Sequence, residues 1–139
     1  MQEILTEELL SELLLSDNPE DFIEKYGISS RSLSDYLQTL LDEKGLRRID
    51  VIHDADLNET FGYQIFMGQR KPSRNKILQI ALAMGLTLQE TNRLLQAGEA
   101  NTLYCKDRRD AIILFCIEKH YSLHKVNEEL YRFGEDTIC

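Results

Sequence analysis

Metal binding and catalysis need reactive side chains at workable spacings, and this chain of 139 residues offers few. Cys116, His120 and His124 fall four apart, a spacing that can gather metal ligands along one helix face. Tyr121-Ser122 reads as a turn between them and breaks that face. The expectation is therefore a buried cysteine with two surface histidines, and no metal. Ser122-Leu123-His124-Lys125 spells the serine–lysine signature of penicillin-binding enzymes, but no companion motif accompanies it. The sequence has no glycine-rich phosphate loop and suggests no nucleophile–base pair. It reads as a chain that is not an enzyme and uses no cofactor. What remains is a run of cations, Arg70, Lys71, Arg74 and Lys76. Such a run attracts phosphates whatever the base sequence, by releasing counterions.

The elements that must position those cations lie just before them, in Leu46 to Ser73. The stretch reads as a short helix over Arg47–Asp54, a tight turn at Ala55-Asp56-Leu57-Asn58, and a second helix over Glu59–Met67. Asn58 is a good N-cap, because its side-chain oxygen can accept from free N–H groups in the next turn. Gly68 is a good stop, since glycine takes the left-handed conformation at little cost. A helix little more than two turns long does not persist alone in water. It has to be presented by a scaffold.

The frame Gly45-Leu46, Val51, Leu57, Ile65 and Gly68 through Ser73 resembles the Cro and phage-repressor (XRE, lambda-repressor-like) helix-turn-helix family. The resemblance implies an all-α, five-helix DNA-binding domain over about residues 30–98. Acidic helices would precede it in 1–29, and an added helix pair would follow in 99–139. It further implies a transcriptional regulator bound to double-stranded DNA as a homodimer, its second motif helix in the major groove. Base readout is carried onto Glu59, Thr60, Gln64 and Met67, and phosphate contact onto Arg48, Arg70 and Lys71. The chemistry suits those places. A glutamine amide can grip adenine with both ends, threonine can touch a thymine methyl, and glutamate can accept from a cytosine amine.

The chain departs from the family pattern at three positions. Ile52 stands where the family usually has a small residue, Asp56 where it has Gly, and Gly62 where it has a branched aliphatic. Ile52 and Gly62 read as volume moved from one helix to the other. Phe61, Tyr63, Phe66 and Met67 make this helix unusually apolar for a DNA reader. If two or more of them are exposed together, they suit a docked protein better than a base edge. The alternative is thus a protein-interaction adaptor on the same scaffold.

Charge frames both readings. The net charge is −8, against the usual basic footprint of a nucleic-acid binder. Residues 1–45 alone carry three cations and eleven anions, whereas 46–76 carry six and four. The acidity belongs to the N-terminal third, whose helices are a candidate surface for a protein partner. No apolar run reaches bilayer length. Three cysteines cannot all pair, so a reducing cytoplasm is expected.

The rest of the chain reads as helices. Leu5 to Leu15 and the stretch from Pro19 to Gly27 come first, expected to be acidic outside and apolar inside. Ser30 or Ser32 opens the next helix, Ser73 caps another, and Thr87 with Glu90 has capping-box spacing. Asp107–Lys119 and Leu123–Phe133 close the chain. A shift of 35 positions lays Arg74 on Arg109, Ile77 on Ile112, Thr87 on Ser122 and Asn92 on Asn127. Two such copies fit a second layer packed on the domain, since a solenoid needs three or more. Ile112, Ile113, Phe115, Cys116 and Ile117 exceed what one packing face needs. They serve either a dimer contact or two faces buried within one chain.

Overall fold

A computed structural model describes residues 6–26 and 32–139, within two units, Met1–Ser30 and Arg31–Cys139. The described residues form nine α-helices and no strand, as the periodicity predicts. No helix among them is long and apolar enough to cross a membrane.

The first unit holds α1 (Thr6–Leu15) and α2 (Pro19–Tyr26). Asn18 caps α2, its Oδ1 accepting from Asp21 N at 3.0 Å. The expected apolar inside of α1 is incomplete, because Leu10, Leu14 and Leu15 are exposed. Leu5 and the stop at Gly27 lie outside the described residues.

The second unit runs α3 (Leu33–Lys44), α4 (Arg48–Asp54), α5 (Glu59–Phe66), α6 (Arg74–Ala83), α7 (Leu88–Ala97), α8 (Arg108–Glu118) and α9 (Leu123–Arg132). Of the two candidate caps for α3, Ser32 is the one used, accepting from Asp35 N at 3.2 Å. Thr87 and Glu90 close the expected capping box on α7 through reciprocal bonds of 3.2 and 3.0 Å. The same Glu90 reaches Lys44 at 3.2 Å, which ties α7 to the end of α3. Burial does most of the holding. Leu37, Leu40, Ile52, Ile65, Ile77, Leu78, Leu94 and Leu95 are all sealed from water in one core, each contributing on the order of 1.5–3 kcal/mol.

The 35-residue echo is a structural repeat. Arg74 Nε donates to the Asn101 carbonyl at 2.9 Å, and Arg109 Nε donates to the Asp136 carbonyl at 2.9 Å. Asn92 Oδ1 accepts from Leu103 N at 2.9 Å, and Asn127 Oδ1 accepts from Ile138 N at 2.7 Å. The pairs α6–α7 and α8–α9 then meet crosswise, α6 against α9 and α7 against α8. Their arginines cross as well. Arg74 grips Asp110 at 2.8 and 2.9 Å, while Arg109 reaches Asn75 Oδ1 at 3.0 Å. Each arginine therefore bonds the residue that follows the other one, as a local two-fold axis between the pairs requires. Ile113, Cys116, Val126 and Leu130 are fully buried, so α8 and α9 belong to the core of this unit. Ile112 and Phe115 lie toward the open side of the second pair.

Candidate nucleic-acid interface

The turn between α4 and α5 is fixed from three sides. Asn58 Oδ1 accepts from Phe61 N at 3.1 Å, the expected cap. Asp56, standing where the resembled family has glycine, takes the left-handed conformation with φ +58°. Aspartate tolerates that region better than most side chains. From below, the fully buried Gln79 of α6 donates its Nε2 to the Ala55 carbonyl at 2.9 Å. Sequence reasoning missed Gln79. The one available signal was a polar residue set among Ile77, Leu78, Ile80 and Ala81.

The crossing of α4 on α5 is set by size. A Cβ on Gly62 would stand 2.7 Å from Ile52 Cγ2 and 2.9 Å from its Cγ1. The bulk of Ile52 occupies the space that a side chain at 62 would need, as the two departures suggest. Ile65 and Phe66 face the core, and Phe61 is partly buried against it. Tyr63 and Met67 face outward, 44% and 46% exposed, and Leu46 and Ile49 are exposed on the preceding turn and helix. Glu59 and Thr60 are exposed at the start of α5, and Gln64 is half-buried. Of the four residues assigned to base readout, Glu59, Thr60 and Gln64 lie on α5, and Met67 is its C-cap.

The cations assigned to phosphate contact are bound to this helix or to nearby acids. Arg48 lies over the Tyr63 ring at 4.8 Å, with Nη1 3.4 Å from Met67 Sδ. Arg70 lies over Phe61 at 5.2 Å and donates Nε to Gln64 Oε1 at 3.0 Å. That bond leaves the Gln64 amide N–H groups free of this partner. Lys71 pairs with Glu99, whose carboxyl its hydrogen bond and charge hold below the usual range. His53 Nε2 meets Glu59 Oε1 at 2.7 Å. Arg74, counted with the cation run from sequence, is instead committed to Asp110 and to the Asn101 and Thr102 carbonyls. A groove of 490 Å³ runs beside α5, lined by Arg47, Arg48, Ile49, Ile52, Glu59, Thr60 and Tyr63.

Family models, curated proteins and solved structures were compared with this chain, and none matches. The functional reading rests on the residues themselves.

The other constellations read from sequence stay apart from this face. Cys116 is fully buried, which pushes its thiol pKa up, and a buried thiol is a poor nucleophile. His120 and His124 are exposed, and His124 pairs with Glu128 at 2.9 Å.

Proposed function

We propose that the chain is a DNA-binding transcriptional regulator that reads base edges through α5, as a homodimer on two half-sites. The observation carrying this reading is the pairing of a polar outward edge with flanking arginines. Thr60 and Gln64 present groups that hydrogen-bond bases, and Arg48 and Arg70 flank them within reach of a backbone. The aromatic shelves under both guanidiniums hold them in place while leaving charge outward. Glu59 and Glu99 oppose phosphate locally, so attraction is expected to be modest, with a correspondingly shallow salt slope.

A second reading is favoured by a specific observation. Tyr63 and Met67 are exposed together, with Ile49 beside Tyr63 in the groove, which suits a protein adaptor. Fold does not choose between these roles.

Binding titrations against salt, on selected and scrambled duplexes, distinguish them. Gln64→Ala is expected to cost about 1–3 kcal/mol on the selected site and little on scrambled DNA. Lys71→Ala is expected to weaken both and to lower the salt slope by about one unit. No affinity tighter than about micromolar at low salt rejects the regulator and favours the adaptor.

A further inference from the structure

The two helix pairs share their inner packing and differ in their outer cover. In the first pair, Ile77, Ile80 and Ala81 of α6 and Leu94 of α7 are all buried. There α4 lies on α6 and α3 on α7, and Leu33 of α3 sits over Gly98, 3.6 Å from where a Cβ would stand. Thirty-five positions on, the same places hold Ile112, Phe115, Cys116 and Glu129, and Gly98 becomes Phe133. These line an open groove of 490 Å³ between α8 and α9. Phe115 is 56% exposed and Phe133 is exposed beside it. The internal two-fold therefore states what shape the groove is missing. It lacks a helix laid across it as α3 is laid across α7.

Charge selects the chemistry of that helix. Arg108 and Arg132 stand on the rim with side chains 64% and 68% exposed, while their partners Glu135 and Glu129 are only 24% and 18% exposed. Lys119 stands over the Phe115 ring at 5.4 Å. In both ion pairs at the rim the charge that projects to solvent is thus the positive one, in a chain whose net charge is −8. A second copy of the same groove would set arginine against arginine. The helix that covers the matching face, α3, carries Asp35, Asp42 and Glu43 beside its leucines.

We propose that the α8–α9 groove binds an acidic amphipathic helix of another protein. Its leucine-like side chains lie on Phe115 and Phe133, and its carboxylates meet Arg108 and Arg132. An apolar helix face in a hydrophobic groove supplies affinity, and the rim charges supply selectivity.

The test titrates the full chain with two synthetic helical peptides bearing the same leucine stripe, one flanked by glutamate and the other by lysine. Fluorescence anisotropy reads binding. The glutamate peptide is expected to bind about tenfold tighter, although the net charge opposes it at long range. Phe115→Asp is expected to lower that affinity about tenfold or more, as loss of a central anchor does. Arg108→Glu combined with Arg132→Glu is expected to reverse the preference. Circular dichroism checks each variant, and Phe115→Ser replaces Phe115→Asp if the charged variant fails to fold. Equal or weaker binding of the glutamate peptide overturns the proposal, as does a preference unchanged by charge reversal. Self-association that Phe115→Asp abolishes also overturns it, by giving the groove to a second copy.

Discussion

Gly62 and Ile52 show how two residues set one helix crossing. Because a Cβ at 62 would stand 2.7 Å from Ile52 Cγ2, Gly62→Ala is expected to lose about 1–3 kcal/mol of stability to overpacking. That is the reverse of the gain of about 1 kcal/mol that alanine brings to an open helix position. Adding Ile52→Ala should remove the clash, so urea unfolding of the four proteins in the cycle should show a coupling above about 1 kcal/mol. Additive losses would mean that the crossing does not depend on this pair. The swap was legible in the sequence because both departures fall on the same frame. The pairing of Lys71 with Glu99 was not legible. The partner is 28 positions away on the chain and belongs to no local pattern.

The helices were largely legible, because caps are local chemistry. Asn58, Ser73, Thr87 with Glu90, Asp107 and Ser122 each cap the helix that follows. Ends differed by a residue or so, as with Glu59–Phe66 against the expected Glu59–Met67. The echo was legible too, but its crossed arginines were not, since a repeat pattern says nothing about which copy a side chain reaches. Asp110 is the buried half of that lock. Burial alone would raise its carboxyl. Hydrogen bonds from Arg74 and the Tyr104 N–H, with the charge of Arg74, leave it below the usual range. A carboxyl depressed in the folded state stabilises above its unfolded pKa of about 3.9, and that stability is lost as pH falls through the folded value. Urea midpoints should therefore fall as pH drops below about 5. Asp110→Asn should flatten this fall and cost about 2 kcal/mol at neutral pH, less than a sealed pair because Arg74 keeps some water. A wild-type midpoint unchanged down to about pH 3 would show that the pair does not hold the layers together.

At the scale of the molecule, charge and chain connection matter more than any one contact. Eleven acids in the first 45 residues set a field that opposes phosphate. If the regulator reading holds, removing residues 1–27 should raise affinity for non-specific DNA at low salt. The gain should shrink as the Debye length falls to about 10 Å at 0.1 M. An unchanged affinity, with helix content intact by circular dichroism, would reject that restraint. The internal two-fold has a consequence of a different kind. The pairs α6–α7 and α8–α9 are joined by one connector, which reverses at a tight turn closed by Asp107 N on the Tyr104 carbonyl at 3.0 Å. Every bond between the pairs would have the same geometry if the second pair came from another chain. Deleting Cys105 and Lys106 removes the reversal, and with it the Tyr104 N–H bond to Asp110, but takes away no residue that joins one pair to the other. Short hinges favour such an exchange of elements. The shortened chain should run as an exchanged dimer by light scattering, with an unfolding midpoint that rises with protein concentration. A folded monomer would show that the connector has slack beyond its turn.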